Sequence, residues 1–284
     1  MPSSTKILFI VGPTASGKSA LGMQVALALS GEIICADSRT IYKGLDIATA
    51  KPTPEDRAKV PHWGLDLVAP DERYSAADFQ IYAKTAIQDI QNRGKLPIIV
   101  GGTGLYIDGV LFDFAFGPAA DPTERARLES LDLEALQQEI AQKGLEMPEN
   151  HKNKRYLVRA LEQGGVNHQK HDPIPGAVVI GINPGINILE TRIRTRAQEI
   201  LKNGALQEAE HLFREYGSDA PAAGAPFFKA FAPHFQSGAP AKDCLERFIL
   251  NDRQLAKRQI AWFKRNAMIQ WFQSPTQAAS SLLQ

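Results

Sequence analysis

Cysteine is scarce: Cys35 and Cys244 are the only two in 284 residues. They are far apart in sequence, which excludes a disulfide-stapled scaffold and the short ligand spacing of a zinc site. No apolar run approaches the length needed to span a bilayer, so no membrane segment is expected. No secretory leader is expected either, because the apolar stretch Ile7-Leu8-Phe9-Ile10-Val11 ends in a glycine-rich turn rather than a cleavage site. No repeat or low-complexity tract appears. A cytoplasmic globular protein is the expectation, one large domain or two modest ones. Net charge is nearly absent at +1, but the balance is uneven along the chain. Residues 1–150 hold 14 Lys+Arg against 20 Asp+Glu, and residues 151–284 hold 18 against 11. The basic half points either to a polyanion partner or, more plainly, to solvated helix faces.

The most specific feature present is GPTASGKS, Gly12-Pro13-Thr14-Ala15-Ser16-Gly17-Lys18-Ser19, directly after the first apolar run. This is the spacing of a phosphate-binding loop. Backbone N–H groups cradle phosphate oxygens, and the start of the following helix adds partial positive charge. Lys18 supplies a point charge and Ser19 a hydroxyl for phosphate or Mg²⁺. The other strand patterns are 32–36, 96–100 and 178–182, separated by helical patterns such as 76–91. Apolar strands alternating with helices predict a parallel sheet buried on both faces, an α/β three-layer P-loop fold. Ligands then gather at the carboxyl ends of the strands, where Gly12–Ser19, Asp37 and Thr103 fall. The polar stretch 122–163 reads as a small helical insertion. After 182 the chain is helical, with segments expected over 191–203, 206–216 and 242–272, and Leu255, Ile260 and Trp262-Phe263 packing inward on the last. The tail SPTQAASSLLQ is expected to be loose.

A second absence concerns the nucleotide-hydrolysing members of this fold class, which place a carboxylate after a second strand to help hold Mg²⁺. Here strand 96–100 runs into Gly101-Gly102-Thr103-Gly104 with no acid. The acid stands instead at Asp37, in ADSRTIYKGLDIATAKP (36–52). A carboxylate there is a metal ligand, a general base or a helix N-cap.

Five blocks occur in order: GPTASGKS (12–19), ADSRTIYKGLDIATAKP (36–52), GGTGLYIDGVL (101–111), RYLVRALE (155–162) and RQLAKRQIAWFKR (253–265). With these, nearly the whole chain resembles the tRNA dimethylallyltransferase (tRNA isopentenyltransferase) family. The resemblance implies that the loop holds the diphosphate of dimethylallyl diphosphate rather than ATP. It implies transfer of the five-carbon group to N6 of the adenosine just 3′ of the anticodon in tRNA, with Mg²⁺ as cofactor. By the same resemblance Asp37 is the base, and Asp37-Ser38-Arg39-Thr40 also contacts tRNA. Thr103 lies at the RNA channel, where a helix N-cap is the alternative for it. Arg125, Arg155 and Arg159 meet the RNA, Arg192 reaches the diphosphate, and Arg258 belongs to the basic last helix. Ser19, Asp37 and Arg192 are the implied catalytic set, with Ser19 on the metal.

The chain departs from the family in places. Ala225-Pro226-Phe227-Phe228-Lys229 stands where Ile-Gly-Tyr-Lys/Arg is usual, and two phenylalanines there imply a different local path. The insertion carries Met147-Pro148-Glu149-Asn150-His151-Lys152-Asn153 in place of the family's Tyr-Asp-Pro and His-Pro-Asn-Asp features. No Cys/His finger closes the C-terminus. The expected organisation is a P-loop core over 1–120, an insertion over 121–165 that grips the anticodon arm, and a return to the core over 166–284. A monomer is expected. Two other functions compete: a small-molecule kinase using the same loop for ATP, and a tRNA-binding protein that has lost catalysis.

Overall fold

The computed structural model describes residues 6–117, 121–164 and 171–283. The chain divides into two compact units, Met1–Leu111 with Pro173–Gln284, and Phe112–Asp172.

The first unit is organised by a six-stranded sheet: β1 Ile7–Val11, β2 Gly31–Ala36, β3 His62–Trp63, β4 Leu96–Gly101, β5 Ala177–Ile182 and β6 Gln270–Phe272. The order is β3-β2-β4-β1-β5-β6 and every pairing is parallel. β1 and β2 are buried at every residue, as continuous apolar runs in a sheet covered on both faces must be. Leu8, Ile10, Ile33, Cys35, Ile98 and Val100 pack with Leu21 and Val25 of α1 (Lys18–Ala28). Their neighbours Phe9, Ile34 and Ile99 are fully buried and, by strand alternation, face the other way. That side is covered by α3 (Ala76–Asn92), which follows the short α2 (Pro54–Lys59) and buries Phe79, Ala83, Ala86 and Ile90 at helical spacing. α4 (Gly104–Leu111) follows β4 directly. Three layers result, as the sequence pattern predicts.

Two strands escape the sequence pattern. β3 has two residues, and β6 lies in what reads as a continuing helix. The last long helix, α11 (Ala241–Phe263), stops nine residues before the expected end at 272. Asn266 N–H donates to Phe263 O, and the chain then adds Gln270–Phe272 to the sheet edge in register with Ile180–Ile182. Ile269, Trp271 and Phe272 continue the apolar pattern, and over so short a run periodicity does not separate helix from strand. The tail is not loose either. Ser274 caps α12 (Pro275–Leu282), and Ala278 and Ala279 pack into the core beside α1. Small side chains make that contact by close approach, so a polar-looking segment still buries a face.

The remaining helices are α8 (Ile186–Lys202), α9 (Ala205–Tyr216) and α10 (Pro226–Ser237), after a 3₁₀ turn at Pro221–Gly224. The Phe227-Phe228 departure lies in the first turn of α10, a helix with Pro226 at its first position and Pro233 inside it. Phe227 stacks on Phe231 at 4.4 Å and meets Phe248 edge-on, while Phe228 meets Phe213 edge-on. Burial of each such ring contributes about 1.5–3 kcal/mol. The substitution therefore adds core to the C-terminal helices.

Among the described residues the second unit has three helices, α5 (Pro122–Ser130), α6 (Leu133–Gln142) and α7 (Lys154–Glu162), capped by Asp121, Asp132 and Asn153. Leu128, Leu136, Ile140, Leu157, Val158 and Leu161 form its core.

Candidate active site at the carboxyl edge of the sheet

The loop Gly12–Gly17 connects β1 to α1. Gly12 has φ 155°, and a Cβ there would sit 2.6 Å from Ile182 O, so no other residue fits. Ser16 N–H donates to Pro13 O, and Lys18 Nζ also donates to Pro13 O at 3.2 Å. α1 begins at Lys18, which directs the unpaired amides of its first turn at the loop. Ser19 is exposed on that turn. Arg192, on α8, donates through Nη1 to Ser16 O (3.1 Å) and Ala15 O (3.4 Å), bracing the loop from outside.

Lys18 is partly accessible as a residue, but its ammonium is enclosed, and burial pushes its pKa down to about 8. The carboxylates of Asp37 and Asp252 act in the opposite direction, and Arg196 deepens the shift. The charges of Lys18 and Asp37 therefore share one neighbourhood, as the strand ends predict.

Asp37 follows β2 and is half-buried. No helix follows it, so it is not an N-cap. Its Oδ1 accepts from Arg39 N–H at 2.9 Å, and its backbone oxygen accepts from Thr40 Oγ1 at 3.3 Å, forming a tight turn that holds Ser38, Arg39 and Thr40. Thr103 precedes α4 and its backbone oxygen accepts from Tyr106 and Ile107. Its hydroxyl, however, crosses to the other loop and accepts from Ser38 N–H at 3.0 Å. The loop beyond Asp37 is pinned at two further points. Lys51 Nζ bonds Tyr42 O, Asp46 and Asp66, each at 2.6 Å. The Glu208 carboxylate accepts from the amides of Asp46, Ile47 and Ala48.

Three participants went unread in the sequence: Gln259, Asp252 and Arg196. Gln259 Oε1 accepts from Thr14 N–H at 2.8 Å, and its Nε2 donates to Gly102 O at 3.0 Å. One side chain thus clips the phosphate loop to the turn that carries Thr103. Trp262 packs against Gly104, where any Cβ would collide with the indole, and its Nε1 donates to Asp108. The fully buried face of α11 runs through Cys244, Phe248, Asp252, Ala256 and Phe263, whereas Leu255, Ile260 and Trp262 remain partly exposed. Polar Asp252 and Gln259 at i and i+7 on that stripe were the available signal. Gln259→Ala is expected to cost about 1–3 kcal/mol in a urea melt, because it strands a donor and an acceptor. Gln259→Glu keeps the acceptor for Thr14 and should cost less.

Arg258 is exposed on α11, where neither it nor Lys257 nor Lys264 has an ion-pair partner among the described residues. Arg125, Arg155 and Arg159 belong to the second unit. Arg125 pairs with Glu129 at 3.1 Å and Glu162 at 3.3 Å. Arg159 is half-buried, its pKa lowered by burial, opposed by Glu162 and lowered further by Arg125 and Arg155, so the three guanidiniums lie within electrostatic reach of one another.

Fold and site together define an α/β phosphate-loop protein in which a carboxylate, Asp37, stands at the end of β2 and the β4 turn carries no acid. The family model described as IPP transferase matches residues 40–266. A tRNA dimethylallyltransferase of Streptococcus thermophilus is 38% identical over 275 residues, covering 95% of this chain and 91% of that protein. The full-length tRNA isopentenylpyrophosphate transferase of Bacillus halodurans matches with a TM-score of 0.76 at 32% identity, over 98% of this chain and 94% of its own. A eukaryotic dimethylallyltransferase described as acting on tRNA gives a TM-score of 0.74 at 28% identity, over 92% of this chain and 70% of its own. The chain belongs to the IPP transferase family, and it is an enzyme, a transferase.

Proposed function

We propose that the chain transfers a dimethylallyl group from dimethylallyl diphosphate to N6 of the adenosine on the 3′ side of the tRNA anticodon, releasing diphosphate. The observation that carries this reading is the Lys18 ammonium, enclosed after β1, within the electrostatic reach of Asp37 after β2, two carboxyl ends of one sheet separated by β4 alone. The C1–O bond of the donor breaks, a bond from N6 to that carbon forms, and the N6 proton passes to Asp37. Charge builds on the departing diphosphate, where Lys18, the amides at the start of α1 and Arg192 oppose it. The adenine must leave the anticodon-loop stack to reach Asp37.

Mg²⁺ fits this donor set. No group of three His, Cys, Asp or Glu suited to a metal occurs among the described residues. Mg²⁺ commonly binds through one or two protein oxygens, waters and substrate phosphates, and the Ser19 hydroxyl offers such an oxygen. Bound there, it would neutralise charge on the diphosphate.

On the RNA side we assign Ser38, Arg39, Thr40 and Thr103 to the entry of the target base. Arg125, Arg155 and Arg159 take the anticodon arm, and Arg258 takes backbone phosphate. One chain carries both loop and base, so a monomer suffices. No helix among the described residues is long and apolar enough to cross a membrane, and we place the reaction in the cytoplasm, with tRNA.

Incubation with dimethylallyl diphosphate, Mg²⁺ and bulk tRNA should yield isopentenyl adenosine by mass spectrometry. Turnover of labelled ATP on a small molecule, without this adduct, overturns the reading in favour of a kinase. Binding of tRNA without either reaction leaves a protein that has lost catalysis.

Affinity for tRNA should fall steeply with salt. Arg258→Ala is expected to reduce the slope of log K against log salt by roughly one and to weaken cognate and non-cognate tRNA alike. Arg39→Ala should weaken cognate tRNA selectively, with the slope nearly unchanged. Identical behaviour of the two variants would refute this division of the RNA surface.

A further inference from the structure

Gln259, on α11, stands between the phosphate loop and the β4 turn: its Oε1 accepts from Thr14 N–H at 2.8 Å and its Nε2 donates to Gly102 O at 3.0 Å. The two bonds fix the direction of the amide. Reversed, it would set its NH₂ against the Thr14 N–H and its carbonyl against Gly102 O, two repulsive contacts. An acceptor is therefore held against the loop. The residue is partly accessible to solvent, unlike the residues of α11 that pack the core. A Cβ on Gly102 would collide with Nε2, so the glutamine fills the space between loop and turn. Three residues on, Trp262 Nε1 donates to Asp108 Oδ2 at 2.8 Å, which anchors α11 to α4 and keeps Gln259 in place.

In the triphosphate-hydrolysing members of this fold class, Mg²⁺ is held by the loop's Ser/Thr and by a carboxylate after a second strand, and it bridges the β- and γ-phosphates. The terminal phosphates there lie between the loop and that turn. In this chain the β4 turn has no acid, and Gln259 makes the span instead. Two donors of the loop are engaged inside the protein, Thr14 N–H on Gln259 and Ser16 N–H on Pro13 O. The amides at the start of α1 have no partner within the helix. Donors are therefore offered at the helix end of the loop, and an acceptor bars the other end.

We propose that Gln259 is a specificity-determining residue of the loop: it occupies the position of a third phosphate, so that the site takes an organic diphosphate and refuses a nucleoside triphosphate. The proposal rests on the reading of the loop as a diphosphate site. Two effects combine. The Gln259 carbonyl repels phosphate oxygens, which are themselves acceptors, and its bond to Thr14 removes a donor that a third phosphate would use. Selection of this kind disfavours the wrong ligand and requires no added contact to the right one.

Calorimetric titration of the full chain with Mg²⁺ compares two probes, inorganic diphosphate and inorganic triphosphate. The wild type should bind diphosphate more tightly. Gln259→Ala opens the space and frees Thr14 N–H, and it is expected to shift the affinity ratio about tenfold toward triphosphate, the scale of one hydrogen bond to a charged group. ATP should then inhibit transfer to tRNA about tenfold more strongly, for the same reason. A purely structural loss would weaken both probes alike and leave the ratio unchanged. Gln259→Glu keeps an acceptor on Thr14 and adds negative charge, so it should shift the ratio away from triphosphate, an independent check should the alanine variant fold poorly. An unchanged ratio in either variant, or a shift toward triphosphate in Gln259→Glu, would overturn the proposal. A wild-type chain that binds triphosphate more tightly than diphosphate, or binds neither, would instead overturn the reading beneath it.

Discussion

Replacement of Asp37 by Asn is expected to reduce turnover by about 10²–10⁴, the usual consequence of removing a general base. The geometry makes this substitution clean. The Asp37 Oδ1 that accepts from Arg39 N–H has an equivalent in the Asn amide oxygen, so the turn holding Ser38–Thr40 should survive. On the proposed mechanism, what is lost is a place for the N6 proton. Single-turnover kinetics with saturating tRNA would read the chemical step directly, and tRNA affinity should be nearly unchanged. An Asn variant turning over at the wild-type rate would remove Asp37 from the mechanism.

Lys18→Ala should lower kcat/KM by about 10²–10³, because in the proposed mechanism the lost ammonium opposes charge that grows as the donor bond breaks. Inhibition by free diphosphate should weaken in parallel, while tRNA affinity holds. The wild-type enzyme carries a pH signature of the same group. With its pKa pushed down to about 8 by burial, Lys18 is charged below that pH and neutral above it. Diphosphate affinity in the ligand-free enzyme should therefore decline as pH rises through about 8, a decline that calorimetric titration would follow and that Lys18→Ala should abolish. Retention of full activity in the alanine variant would separate the loop from the leaving group.

Much of the fold was readable because it depends on local chemistry. Continuous apolar runs can be satisfied only in a sheet covered on both sides, and β1, β2, β4 and β5 all appeared where such runs stand. The misreadings share a cause. β6 and α12 owe their form to neighbours: Gln270–Phe272 becomes a strand because β5 offers a free edge, and Ala278 and Ala279 become core because α1 lies within reach. Phe227 and Phe228 fill space between helices that no local pattern locates.

The site divides in the same way. By itself the sequence determined the loop and its lysine, through the spacing of a phosphate-binding loop, and it placed the carboxylate after β2 and the threonine after β4 at strand ends. Tertiary structure alone decided that Thr103 spends its hydroxyl on Ser38, that Gln259 ties Thr14 to Gly102, and that Asp252 meets Arg196. Those bonds join residues 56 to 245 positions apart. Sequence spacing carries information about neighbours along a helix or strand, within a few residues. Whether a buried glutamine or aspartate finds its partner depends on how distant segments pack, and the free energy of leaving it unpaired is felt only once they do.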